Sequence, residues 1–261
     1  MKILLPTDFS NNAKKAIDYA IQCFPNADFT LLHIVYLHQA GSTMIVDINH
    51  ELVKANQPKI NELILQLKQK NPQLKIKGKV DVGFFSQTII ELTQEIEIDL
   101  IILGTKGSSG LEEVLIGSNA ADVVKNVNKP ILIVPHNCEV KCPQHILLSS
   151  DFSPESQKKE MNLIDTIRTY FNAQLDLLHV FSSKDKTKDV NYSDLIEKKE
   201  VEIHVISSEI IEDAILSYAH EKKYDLITLI PKDRGLIRNL FHHSVTKKLS
   251  MHSDIPLLIW K

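Results

Sequence analysis

The chain contains an internal repeat, and this repeat constrains the fold more than any other feature of the sequence. The segment Ile146–Ser153 matches Ile3–Ser10 at six of eight positions. Three further pairs of segments match in the same order: Leu177–Val180 with Leu31–Ile34, Asp225–Leu229 with Asp99–Leu103, and Ile255–Ile259 with Lys129–Ile133. The repeat therefore predicts two copies of one domain. The offset between copies falls from 146 to 126 along the chain, so the second copy has lost roughly twenty residues between its second and fourth strands.

Each copy alternates short apolar runs with amphipathic stretches. In the first copy, Ile60, Leu63, Ile64 and Leu67 recur at helical spacing, which is typical of one buried helix face. The pattern predicts strands at Ile3–Leu5, Phe29–Val35, Lys75–Asp81, Leu100–Leu103 and Ile131–Val134, with helices near 11–23, 47–70, 86–95 and 118–126. Alternating strands and helices imply a parallel sheet covered on both faces. We therefore expect an α/β fold of two tandem doubly wound five-stranded domains, the second shortened. Asp185–Lys199 of the second copy is highly charged and fits either a loop or a short helix.

The fourth apolar run of the first copy leads directly into a glycine-rich segment. Gly104 and Gly107 are followed by Gly117-Ser118, after which the next helix is predicted to begin. Glycines allow close backbone approach, and a helix start offers free N–H groups and a positive dipole end, so this pattern is typical of a phosphate-binding loop. A tight turn followed by a helix cap would produce the same spacing.

Asp8 follows the first apolar run, within Pro6-Thr7-Asp8-Phe9-Ser10. A doubly wound order places a crevice between the first and fourth strands, where Asp8 and Gly104 would converge. The Asp8 carboxylate could accept hydrogen bonds from a ribose or an adenine amino group. The alternative is that Asp8 or Ser10 only caps the following helix.

These segments, with Leu32-His33-Ile34 and the closing strand Pro130–Val134, resemble the nucleotide-binding branch of the universal stress protein family. The resemblance implies a Rossmann-like fold of the adenine nucleotide alpha hydrolase type. It also implies that Asp8 contacts adenosine and that the backbone at Ile34 reads adenine. The glycines would hold the phosphates together with Ser118 and Asn119. The implied binding residues are Pro6, Thr7, Asp8, Ile34, Leu103, Gly104, Gly107, Gly117, Ser118 and Asn119.

The second copy lacks this glycine pattern. At an offset of 126, Ile230, Asp233 and His243 stand where the first copy has glycine, and only Ser244 keeps its type. A side chain at these positions blocks close approach to phosphate, and Asp233 adds a like charge. We therefore predict one nucleotide site per chain, in the first copy. The basic residues Lys232, Arg234 and Arg238 leave open the binding of another anion by the second loop.

The expected ligand is ATP, with ADP, AMP or cyclic AMP as alternatives, and with Mg²⁺ held through the phosphates. The expected function is a nucleotide-dependent stress sensor or regulator with no catalytic residue and no metal ligated directly by the protein. Glu112 and Glu113 fit a solvated face, and Lys106 either offsets phosphate charge or faces solvent. A slow ATPase or adenylate-forming enzyme and a nucleotide-free interaction module are the alternatives.

Composition and the resemblance also predict the location, the domain boundaries and the partners of the protein. The net charge of −3 gives no basic field for nucleic acid, and no apolar run is long enough to span a membrane, so a cytoplasmic protein is expected. Cys138 and Cys142 flank the predicted linker and fit incidental thiols better than a metal site. We expect domains at 1–137 and 146–261, joined by a linker at 138–145. The resemblance implies that the two copies pair through their last strands, with a homodimer and an unidentified protein partner also possible.

Overall fold

The structure, a computed structural model, describes residues 1–36, 45–105, 118–152, 157–182, 201–230 and 254–260. Within these segments the strands are β1 (Lys2–Pro6), β2 (Asp28–Val35), β3 (Lys75–Val82), β4 (Leu100–Gly104), β5 (Ile131–Val134), β6 (His145–Ser149), β7 (Gln174–Phe181), β8 (Glu202–Ser207), β9 (Leu226–Leu229) and β10 (Leu257–Ile259). The helices are α1 (Asn11–Cys23), α2 (Ile45–Lys70), α3 (Phe85–Glu95), α4 (Ser118–Asn126), α5 (Gln157–Phe171) and α6 (Ile211–Glu221). The segment 185–199 lies outside the described residues.

The ten described strands form one sheet in the order β3-β2-β1-β4-β5-β10-β9-β6-β7-β8. Within each copy all neighbours are parallel, and the order reverses between the first and fourth strands of the copy, which confirms the predicted α/β class. The copies meet where β5 pairs antiparallel with β10, with Leu132 opposite Leu258. We call this β5–β10 pair the seam. It is the pairing of last strands that the resemblance implied, and it leaves neither strand as an open edge.

Helices cover both faces of the sheet. One large apolar core lies under α1 and α2 and continues across the seam to α5 in the second copy. On the opposite face, α3 and α4 cover the first copy and α6 covers the second. Among the described helices, none combines the length and apolarity needed to cross a bilayer.

Helix α1 shows how local sequence builds this layer. The Ser10 hydroxyl caps its first turn by accepting a hydrogen bond from the Ala13 N–H at 3.3 Å. Ala13, Ala16, Ile17 and Ala20 follow at helical spacing and are all buried. The small alanines let the helix axis approach the sheet closely. This proximity brings the start of α1 over the end of β4.

The register of the strands locates the deletion in the second copy. Leu31 pairs with Gly78 in the first copy, and the equivalent Leu177 pairs with Ile203 in the second. The offset between copies is 177 − 31 = 146 on the second strand but 203 − 78 = 125 on the third. The 21 missing residues therefore lie between the second and third strands, the interval that holds α2 in the first copy. The prediction of a deletion was right, and the structure narrows its position.

In each copy, the aspartate that directly precedes the fourth strand fixes the start of the first strand. Asp99 accepts a hydrogen bond from the Lys2 N–H at 2.7 Å, and Asp225 accepts from the N–H groups of Gln144 and His145, both at 3.0 Å. Burial acts to raise the pKa of Asp225. The two backbone hydrogen bonds and the contact with Lys141 outweigh burial, and the pKa lies below the ordinary value of 3.8. The carboxylate form is therefore the one that stabilises the folded chain.

Replacing Asp225 with asparagine is expected to lower the free energy of unfolding at pH 7 by about 1–2 kcal/mol, because a charged acceptor of two backbone hydrogen bonds is lost. Since the folded-state pKa is lowered, this stabilisation is present above pH about 4 and disappears as the pH falls through the folded-state value. Urea unfolding at pH 7 and pH 3 would measure it. Glu139→Gln is the control, because Glu139 contacts the same Lys141 from an exposed position. A pH-independent loss would contradict the assignment.

Candidate functional site

The crevice at the carboxyl end of β1 begins with a tight turn. Phe9 adopts a left-handed conformation with φ of 64°. The turn is held by the Thr7 hydroxyl, which accepts the Phe9 N–H at 3.0 Å, and by Asp8 Oδ1, which accepts the Ser10 N–H at 3.0 Å. The helix cap itself is Ser10. Of the two predicted alternatives, Ser10 therefore caps α1, while the Asp8 carboxylate sits half-buried at the mouth of the crevice.

His33 supports this turn from the neighbouring strand. Its Nδ1–H donates to the Thr7 carbonyl at 2.9 Å, which requires the proton on Nδ1 because the partner only accepts. The imidazole ring also packs on Phe9, with ring centroids 4.5 Å apart. The structure thus gives His33 a role in the fold, and histidine recurs as His179 at the equivalent strand end of the second copy.

Ile34 presents its backbone to the same crevice. The Leu32 carbonyl accepts the Thr7 N–H at 2.8 Å on the β1 side, and the Val35 carbonyl accepts the Gly83 N–H at 3.1 Å on the β3 side. Successive residues of a strand direct their backbone groups to opposite neighbours. The N–H and C=O of Ile34 therefore point to the same side as those of Leu32, into the space beyond the end of β1.

Gly104, at the end of β4, has a packing role that sequence reasoning missed. A Cβ at this position would lie 2.9 Å from the backbone oxygen of Asn12 and 3.1 Å from its carbonyl carbon. Side chains do not tolerate that approach to backbone. Glycine is therefore required for α1 to rest on β4, independently of any ligand.

Helix α4 supplies the remaining described part of the predicted site. Ser118 opens the helix, and Asn119 is exposed in its first turn, whereas Leu103 is buried in the sheet. Because α4 links β4 to β5 in a parallel sheet, its N-terminus lies at the carboxyl edge, next to the ends of β1 and β4. Gly107 and Gly117 lie outside the described residues, as do Lys106, Glu112 and Glu113.

The structure thus brings six of the predicted residues to one edge of the sheet: Pro6, Thr7, Asp8, Ile34, Leu103 and Gly104. Of these, the Asp8 carboxylate and the Ile34 backbone face the crevice with polar groups. Two helix N-termini, those of α1 and α4, adjoin it and favour negative charge. A ligand with hydroxyl or amino donors at one end and an anionic group at the other would complement this arrangement.

The equivalent crevice of the second copy differs in the residue buried beneath its turn. Phe152 repeats the left-handed turn, with φ of 47°, and packs on His179. The Ser150 hydroxyl, however, donates to the carboxylate of Glu160, which is completely buried in α5. At the offset of 143, Glu160 stands where the first copy has Ile17. The packing beneath this crevice therefore differs from that of the first copy. Sequence reasoning missed Glu160, although a charged residue at a core position of the repeat was a readable signal.

The cysteines of the linker region pack against α1. The Cys142 thiol contacts the Gln22 carbonyl at 3.4 Å, and Cys138 is buried. Burial raises the pKa of Cys138 to about 11 and, together with the neighbouring Cys142, raises that of Cys23 as well. Cys23 and Cys138 are therefore held in their unreactive protonated form.

The fold defines a doubly wound α/β protein, with polar groups from β1 and β2 gathered at its topological switch point, where open parallel sheets usually bind their ligands. The sequence profile of the universal stress protein family matches residues 1–135, and the chain belongs to this family. Two universal stress proteins of Methanocaldococcus jannaschii are similar to it: one is 28% identical over 51% of this chain and 93% of its own length, the other 31% identical over 51% and 81%.

Several solved structures are similar over both copies. A universal stress protein from Archaeoglobus fulgidus superposes with a TM-score of 0.71 over 100% of this chain and 96% of its own, at 22% identity. At that identity the likeness shows the fold alone. The tandem fold is therefore shared with another member of the family.

Proposed function

We propose that the first copy binds one adenine nucleotide per chain, and that the protein acts as a nucleotide-dependent regulator in a stress response. The observation that carries this proposal is the convergence of the Asp8 carboxylate, the outward-facing Ile34 backbone and the close-packed Gly104 at one switch point. Membership of the universal stress protein family supports the stress-related role.

Each group has a task suited to its chemistry. The Asp8 carboxylate accepts hydrogen bonds from the ribose hydroxyls, and the N–H and C=O of Ile34 pair with the adenine edge. Gly104, Gly107 and Gly117 admit the phosphates, and the α4 N-terminus with Ser118 and Asn119 stabilises their charge. Mg²⁺ would be held by the phosphates and water, and no described residue is assigned a catalytic role.

The second copy, from about residue 146 onwards, serves in this proposal as a structural or partner-facing module. In this copy Glu160 is buried against Ser150, and Ile230 stands where β4 has Gly104. Ile230 is itself part of the apolar core, so this position lacks the glycine that the proposed phosphate contact uses in the first copy. The expected stoichiometry is one nucleotide per chain.

The repeat provides a matched pair of variants to test this. Titration calorimetry of ATP with Mg²⁺ into the full-length protein should give one site, and Asp8→Ala should weaken binding roughly tenfold or more, about 1.4 kcal/mol. Asp151→Ala, at the equivalent position of the second copy, should leave the affinity unchanged.

Each contrary outcome identifies an alternative. Two nucleotides per chain would show that the second crevice binds nucleotide as well. Absence of binding at millimolar ATP would overturn the proposal in favour of an interaction module. Phosphate release that is lost in Asp8→Ala would indicate an ATPase.

A further inference from the structure

Three potential metal ligands meet on the two outer strands of the second copy. Asp176 of β7 lies directly opposite Glu202 of β8 in the parallel register, and His204 follows two residues later on the same face. Their donor atoms, one from each side chain, all lie within 4.8 Å of one another. Among the residues that the structure describes, this is the one such group of three. It lies at the amino end of the strands, the edge opposite the nucleotide crevice.

The position of Asp176 is fixed by a second residue. Its side chain is 7% exposed, and the Tyr224 hydroxyl donates to its Oδ2 at 2.7 Å. A buried carboxylate is stable when it is paired with a cation or bound to a metal, and a neutral phenol offsets only part of its desolvation cost. An outer hydrogen bond of this kind is also what orients the ligands of known metal sites.

Aromatic rings line the group on one side. The Tyr218 ring packs on the His204 imidazole, with ring centroids 5.5 Å apart, and stacks on the Tyr224 ring. Two carboxyl groups and one imidazole thus meet beside an apolar wall, and the paired carboxylates attract a cation.

The first copy has none of these ligands. At the offsets fixed by the strand registers, Asp176, Glu202 and His204 replace Thr30, Lys77 and Lys79. Tyr224 replaces Ile98 in the same way. Lys77 and Lys79 would repel a cation where the second copy would attract one. The whole group, with its supporting phenol, is thus particular to the second copy.

We propose that Asp176, Glu202 and His204 form a binding site for a divalent transition metal of the Zn²⁺ type. One imidazole nitrogen and two carboxylate oxygens suit Zn²⁺ and its first-row neighbours, whereas Mg²⁺ and Ca²⁺ prefer oxygen alone. Glu202 and His204 are accessible from solvent, with side chains 77% and 32% exposed, so the ion can enter and keep water in its remaining position. The bound ion would join β8, the edge strand, to β7.

The test uses the full-length protein, reduced and freed of metal with a chelator. Competition between the protein and a chromophoric Zn²⁺ indicator should reveal one saturable site. His204→Ala should weaken Zn²⁺ binding by more than tenfold, and Tyr224→Phe by roughly tenfold, since loss of an outer hydrogen bond costs 10–100-fold in metal affinity. His220→Ala is the matched control, because His220 lies exposed at the end of α6, outside the group.

Binding of Co²⁺ in place of Zn²⁺ distinguishes a metal ion held at this site from one held by the cysteines. A nitrogen and oxygen ligand set gives visible bands without the near-ultraviolet absorption of a thiolate bound to cobalt. Absence of saturable Zn²⁺ binding would overturn the proposal. So would unchanged affinity in both His204→Ala and Glu202→Gln, or loss of the site in Cys142→Ser. Circular dichroism of each variant verifies folding, and these results do not depend on whether ATP binds.

Discussion

Replacing Gly104 with alanine is expected to lower the free energy of unfolding by about 2–3 kcal/mol, a large effect for one added methyl group. The new Cβ would lie 2.9 Å from the Asn12 carbonyl oxygen, and backbone cannot rotate away as a side chain does. Helix α1 must therefore move off β4, which also disturbs the turn that carries Asp8. Nucleotide binding should weaken in parallel. Urea unfolding and calorimetric titration measure the two effects.

Gly78 provides the control for this variant. A Cβ there would also meet an atom at 2.9 Å, but that atom is the terminal methyl of Ile64, and the next are side-chain atoms of Ile60. These groups can shift, and alanine in place of glycine in a strand gains roughly 0.5–1 kcal/mol. Gly78→Ala should therefore be close to neutral. Equal losses in the two variants would show that the contact with Asn12 does not dictate glycine at position 104.

Much of the fold could be predicted because the repeat and the hydrophobic periodicity are local signals. Helices α1 and α4 and strand β5 have the predicted bounds, and the remaining elements of the first copy differ from prediction by one or two residues at an end. The strand order followed from the alternation of strands and helices, which leaves few topologies. The deletion could be placed only between the second and fourth strands, since its finer position depends on which residues pair.

Less of the candidate site could be predicted from the sequence, because its properties depend on contacts between distant segments. The glycine at position 104 was assigned to phosphate binding from its spacing, but its contact with Asn12 appears only when α1 is packed on the sheet. Glu160 affects the second crevice through its contact with Ser150. The group of Asp176, Glu202 and His204 spans two strands and has no compact motif, and no protein-ligated metal was predicted.

The two copies are expected to unfold as one unit, in spite of their origin as a repeat. The seam joins them through three consecutive residue pairs within a single sheet, and the core under α1 and α2 continues into α5. Neither half can be exposed without uncovering apolar surface of the other. Loss of a core side chain in either copy should therefore destabilise both.

Leu4→Ala and Leu147→Ala test this at equivalent, completely buried positions of the two copies. Each is expected to lower the free energy of unfolding by about 2–5 kcal/mol. The single tryptophan, Trp260, directly follows β10 in the second copy. Its backbone N–H donates a hydrogen bond to the Leu229 carbonyl of β9 at 2.9 Å. Its fluorescence should report one transition that shifts by a similar amount in both variants and coincides with far-ultraviolet circular dichroism.

The control is Val205→Ala, on the outer strand β8, where the side chain is exposed and the expected change is within about 0.5 kcal/mol. A tryptophan transition that shifts in Leu147→Ala but stays in place in Leu4→Ala would show that the copies unfold independently. In that case the seam would act as a contact between two separate domains. Coincident shifts would mean that the two copies form one cooperative unit. A ligand that binds the folded first copy would then stabilise the second copy as well.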